Sequence, residues 1–220
     1  MEIDHIFICV PPKANEAELL IDFGFSEGSA NNHPGQGTAN RRFFFDNAVI
    51  ELLFLTDSDE ARSELTRPTR LYERLTSKRG EDSPFGICFR PADGNDIKEA
   101  SFPCWAYRPT YLPPYLHIAV ADASIDEPMW FYLSFASRPD QSARCLAEPR
   151  THANGISELT SIAISIPKVD DLSAAANIIS KLPGVKLMPG ESHLLELCFN
   201  AEQKELSKDF RPDLPLVIKW

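Results

Sequence analysis

The sequence predicts an α+β fold in which a β-α-β-β-β unit recurs and builds mixed sheets. Three observations carry this. The stretch MEIDHIFICVPPKANEAELLIDFGF at the N-terminus reads as an apolar strand, a proline and a helix. The later stretch ELTSIAISIPKVDDLSAAANIISKL has the same order, and laying Pro11 over Pro167 lays His5 over Ser161. Short β-rich runs follow each helix. Repeats this long, containing strands of both orientations, do not describe a solenoid.

In the first unit, residues 2–10 alternate and are rich in Ile, Phe and Val, and Pro11-Pro12 ends the strand. Asn15 can cap a helix running to about Asp22, with Ala17, Leu19, Leu20 and Ile21 as its apolar side, and Gly24 stops it. A short strand is expected around Phe25–Ser29. GSANNHPGQGTAN (28–40) reads as a loop, followed by strands RRFFFD (41–46) and AVIELLFL (48–55).

Residues 57–82 are charged and read as partly helical. FGICFRP (85–91) begins a second unit, with a short helix at GNDIKEA and strands in CWAYRP, YLHIAVAD and MWFYLSF. Residues 137–155 form a polar crossing loop. The third unit has its helix in VDDLSAAANIISKL, with Asp170 or Asp171 near the start, and strands VKLMP, HLLELCFN and LPLVIKW. The expected organisation is one domain over 1–220, with units at about 2–56, 84–136 and 157–220.

Composition excludes several function classes. The 220 residues are 43% hydrophobic, enough for a substantial core, and carry a formal net charge of −10. A nucleic-acid backbone is disfavoured by that charge, and RPTR with Arg74, Lys78 and Arg79 is interrupted by acids. No apolar run reaches the roughly 20 residues of a membrane helix, and no signal-peptide layout opens the sequence. Five cysteines without a CxxC pair read as free thiols, which leads to the expectation of a reduced, cytoplasmic protein. The expected partner is a small molecule, with neither nucleic acid nor membrane; a homodimer is left open.

The opening DHIFICV and the closing IELLFL of the first unit resemble the vicinal oxygen chelate superfamily of glyoxalases, bleomycin-resistance proteins and dioxygenases. NHPGQGTANRRFFFDNAVIELLFL, EPMWFYLSF and THANG resemble its glyoxalase-like branch. The resemblance implies sheets curled around a cavity. It also implies a divalent metal (Zn, Ni, Mn or Fe) held by a histidine on a unit's first strand and a glutamate on its last, with a second such pair from another unit. Carried onto this sequence, it makes His5 and Glu51 metal ligands, with Glu51 also the candidate catalytic base. On a strand, His5 should share a face with Ile3, Phe7 and Cys9, and Glu51 with Val49 and Leu53. Imidazole and carboxylate suit all four metals.

The second pair is missing. Ile87 falls at the histidine position of the second unit, and Phe131 or Trp130 falls near the glutamate. In the third, Ser161 replaces the histidine while LELCF places Glu196 over Glu51. Asn40, Arg42 and Trp130 are the expected substrate contacts, in a cavity given aromatic walls by the middle segment. Gly35 and Gly37 would let the chain turn sharply there. His33 and His152 read as loop histidines, His117 as a sheet histidine and His193 as peripheral. Two functions follow: a glyoxalase-like enzyme of lyase, isomerase or dioxygenase type acting on a small oxygenated molecule, or a non-catalytic binding protein with a degenerate metal site.

Overall fold

The computed structural model describes residues 1–78, 80–92, 99–167 and 171–220. The first unit contributes β1 (Glu2–Cys9), α1 (Ala17–Asp22), β2 (Asn31–His33), β3 (Thr38–Phe44) and β4 (Val49–Leu55). Two short helices follow, α2 (Ser58–Ala61) and α3 (Leu71–Thr76), and then β5 (Phe85–Arg90), β6 (Cys104–Tyr107), β7 (Ile118–Ala121) and β8 (Met129–Tyr132). These eight strands form one mixed sheet in the order β2-β3-β4-β1-β5-β8-β7-β6. Each unit's first strand pairs in parallel with its last, and the two first strands meet antiparallel at the centre. The sheet curls into a half-barrel, the α+β architecture the sequence predicts.

A second sheet, β10-β9-β11-β13-β12, comes from β9 (Leu159–Ile166), α4 (Ala174–Ile179), β10 (Val185–Pro189), β11 (Leu194–Phe199), β12 (Ser207–Asp209) and β13 (Leu216–Lys219). It repeats the central arrangement of the first: β9 is parallel to β10, β11 is parallel to β13, and β9 meets β11 antiparallel.

Alternation sorts the side chains of β1. Ile6 and Ile8 enter a core that also contains Ile162, Ile164 and Ile166 of β9, Leu195 and Leu197 of β11, Leu20 of α1 and Ile179 of α4. Phe7 faces the other way, into a smaller cluster with Leu53, Leu71, Cys88, Ile118, Met129 and Phe131. The large core joins the two sheets. The small one lines the concave side of the first.

Several local expectations are corrected. The strand expected at Phe25–Ser29 is only an isolated bridge, Glu27 to Phe43. The edge strand is instead Asn31–His33, inside the stretch read as loop, because β3 extends back to Thr38 and pairs with it. Glu16, not Asn15, occupies the N-cap of α1, and no side chain caps that helix. The cap of α4 is Ser173, whose hydroxyl accepts from the Ala176 N–H at 3.1 Å. Asp170 and most of the helix expected at GNDIKEA lie outside the described residues. Strand β12 had no apolar pattern to announce it, since all three of its residues are exposed. Among the described residues, no helix is long and apolar enough to cross a membrane.

Candidate functional site

The concave face of the first sheet closes over a cavity of about 180 Å³. Its walls are mostly apolar, from Phe7, Leu53, Leu71, Met129, Phe131 and Phe135 among others. Its polar groups come from His5, His33, Gln36, Glu51, Tyr107 and Tyr111, with Asn31 at the edge strand. Few polar groups in an apolar enclosure is the usual composition of a small-molecule site.

His5 and Glu51 reach the cavity from adjacent parallel strands. His5 is opposite Val49 and Glu51 is opposite Phe7, so the two side chains stand one pleat apart on the same face. Asn40, fully buried on β3, accepts from the Asn31 N–H and donates from Nδ2 to Glu51 Oε2 at 2.9 Å. It therefore orients the carboxylate rather than presenting itself to a ligand.

His5 owes its setting to a bulge. Ile3 pairs with Phe89 and His5 with Cys88, so Asp4 is an extra residue on β1. A bulge re-aims side chains. Here it turns Ile3 toward the main core, against the expected alternation, and brings the Asp4 carboxylate to His5 Nδ1 at 2.7 Å. The His5 ring lies edge-on to Phe131, with centroids 5.2 Å apart. Burial disfavours the charged imidazole, but the interactions of His5 with Cys88, Glu51 and the Asp4 carboxylate outweigh it, so its pKa lies well above the ordinary histidine value. Burial pushes the Cys88 thiol up to about 12. Donor atoms of Asp4, His5 and Cys88 lie within 4.8 Å of one another, a group able to hold a metal ion.

The turn between β2 and β3 delivers the remaining polar groups. Gly35 and Gly37 have φ of +80° and +73°, which an L side chain rarely adopts. Glu60 Oε2 accepts from both of their N–H groups, at 2.7 and 3.0 Å, and the Thr66 hydroxyl donates to the Gly35 carbonyl. So tied, the turn places His33 against Thr38, whose hydroxyl lies 3.0 Å from Nδ1, and near the Tyr111 ring. The Tyr107 and Tyr111 hydroxyls each donate to Gln36 Oε1 at 3.2 Å. Burial lowers the His33 pKa, and His5 adds to this while Glu51 opposes it.

Other expected residues lie elsewhere. Trp130 is fully buried on the opposite face of β8, its indole donating to Glu127 Oε2 at 2.8 Å, so it cannot touch a ligand in the cavity. Phe131 is the wall residue. Ile87 likewise faces the main core, and the cavity-facing neighbour of His5 is Cys88. Arg42 is opposite Glu51 in register, but its guanidinium turns to the Ser29 carbonyl and hydroxyl and over the Phe44 ring. His152 is buried, with Nδ1 accepting from the Ser26 N–H and Nε2 donating to the Phe44 carbonyl, both at 3.0 Å. Glu196 lies in the second sheet, paired with Lys219 at 2.6 Å.

Comparison with known proteins agrees with this fold. Residues 3–102 match the family model described as Glyoxalase-like domain, a span that includes His5, Glu51 and Cys88. The fold is glyoxalase-like. A crystal structure of a hypothetical protein from Staphylococcus aureus is similar over 99% of this chain and 98% of its own, with a TM-score of 0.52 and 11% identity, a likeness of fold alone. No curated protein matches the chain.

The donors present can be set against the metal centre that such folds often hold. Among the described residues a four-ligand set of two histidines and two carboxylates does not form: Phe131 lies in the wall beside His5, and Cys88 is its strand partner. A smaller N/O/S set, His5 with Glu51 or with Asp4 and Cys88, has the right chemistry for a divalent transition metal.

Proposed function

We propose that the cavity takes a small oxygenated organic molecule and that the protein acts on it as a glyoxalase-like enzyme, with His5 and Glu51 as the working pair. One observation carries this reading: an imidazole and a carboxylate from neighbouring strands face one apolar cavity, and each is held by a separate partner, Asp4 and Asn40. Glu51, as general base, removes a proton from carbon beside a carbonyl. His5, favoured in its charged form, stabilises the negative charge that develops on oxygen. Phe7, Leu53 and Phe131 exclude water and strengthen both interactions. A divalent ion held at His5 would polarise the same oxygens.

The test uses 2-oxo aldehydes, α-hydroxy ketones and catechols as probes, with metal analysis of the purified protein and solvent-deuterium incorporation into the ketones. Glu51→Gln should slow exchange by about 10²-fold or more with the fold retained. Exchange equal to that of the unaltered protein would remove Glu51 from the reaction. A second reading, binding without catalysis, is favoured by the missing second pair of ligands. It predicts that His5→Ala leaves probe affinity unchanged.

A further inference from the structure

A larger cleft, about 550 Å³, lies beyond the ends of β1 and α3, where the first sheet meets the 211–215 loop of the second. Among the described residues it shares no lining residue with the cavity. Its walls are apolar, with Cys9, Pro11, Leu75, Pro84, Leu214 and Pro215. Within that surface sits Arg74, only 6% exposed. One end of its guanidinium is satisfied: Nη1 donates to the carbonyls of Ser83, Ile125 and Glu127 at 2.8, 3.1 and 2.7 Å. Nε is buried with no hydrogen-bond partner, and among the described residues no carboxylate lies within 4.0 Å of the group.

A buried cation whose hydrogen bonds go to carbonyls, with the Asp82 and Glu127 carboxylates acting on it only from farther off, is costly. Burial lowers the Arg74 pKa to about 10, which leaves the group charged at neutral pH. Its fork is built to receive a carboxylate. The described lining carries further charge of both signs, Lys78 and Arg211 against Asp82 and Asp213; Arg211 is paired with Asp209, and Arg74 is the most buried of these charges.

We propose that this cleft is a second ligand site, which takes an organic carboxylate with an apolar body: the carboxylate meets Arg74, and the chain lies along the prolines and leucines. The volume is within the range of small-molecule sites, and Arg74 is the buried charged group among the described lining residues, the other charges being more exposed. The proposal does not depend on the chemistry assigned to His5 and Glu51.

Titration calorimetry of the full chain with octanoate, and with octanamide as its uncharged counterpart, tests it. Octanoate should bind saturably, octanamide at least about tenfold more weakly, and Arg74→Gln should reduce octanoate affinity by a similar factor. Ser192, exposed on the lining, offers a variant that spares the buried carbonyl contacts: Ser192→Trp fills the cleft and should abolish octanoate binding. That variant and the acid–amide pair decide the matter if Arg74→Gln fails to fold. Equal affinity for acid and amide, unchanged octanoate binding in Ser192→Trp, or no saturation at millimolar octanoate would each overturn the proposal.

Discussion

The two sheets are built on one pattern and put it to different uses. The bulge that displaces Asp4 on β1 recurs on β9: Cys198 pairs with Ser161 and Phe199 with Leu159, leaving Thr160 as the extra residue. In this register Ser161 stands for His5, Cys198 for Cys88, and Ala163 for Phe7. The parallel partner of Ala163 is Lys186, where the partner of Phe7 is Glu51. Opposite them, Glu196 takes the place of Gly86. The first sheet's face is covered, and the covered positions are Phe7, Cys88 and Gly86. The second face is open, and its positions are small or charged. What makes a cavity is therefore not the strand pattern but the cover that α3 and the 107–112 segment provide, together with the residues that cover permits.

The sharpest way to break this comparison is to exchange Gly86 and Glu196. A Cβ on Gly86 would come within 2.0 Å of the Phe7 ring. Gly86→Glu should cost at least about 3 kcal/mol, a Tm fall of roughly 6 °C or more, measured by denaturant and thermal unfolding. The reverse change, Glu196→Gly, should cost about 1 kcal/mol. Similar losses would mean that the two faces are equally packed.

A smaller effect concerns His152, which pins the crossing segment between the units to Ser26 and Phe44. Burial lowers its pKa, against the opposing pull of the Phe44 carbonyl and Asp46. Its contribution to stability is present above the unfolded histidine value near 6.5 and is lost as pH falls through the lowered folded value. Protonation of Nδ1 removes the acceptor for the Ser26 N–H. His152→Ala should cost about 1–3 kcal/mol at pH 7.5 and flatten the pH profile of unfolding between 7 and 5. A profile identical to that of the unaltered protein would exclude this role.

The smallest effect belongs to the open face. Lys219→Met removes the partly exposed pair with Glu196, and should change stability by no more than about 1 kcal/mol, less at 0.5 M salt. A larger loss would show that this face is organised after all.

How much of this the sequence displays depends on the element. Alternation and proline positions make β1 and β9 legible, and laying Pro11 over Pro167 places Ser161 at the position that the strand register gives it. Glu51 is legible as a polar residue in an otherwise apolar strand, and His5 through the resemblance that DHIFICV carries. Asp4 is not, since a bulge depends on how β5 pairs and leaves no local mark. Gln36 and His33 are hidden for a related reason: the glycines announce a turn, but not the Glu60 carboxylate that aims it. Trp130 and Phe131 show the limit of period-two reading, where an error of one residue exchanges core for cavity. Glu196 shows it again, since similarity of LELCF to IELLF ignores that β11 is a central strand, not a last one.

The seam between β1 and β5 also constrains how the molecule comes into being. His5 meets Glu51 only when a parallel crossover has closed, and meets Cys88 only when the second unit has docked. Such distant pairings form slowly, because loop closure precedes the contacts that reward it. A nascent chain that has completed its first unit holds both polar residues but no enclosure, so the cavity can capture a ligand only after the second unit has docked.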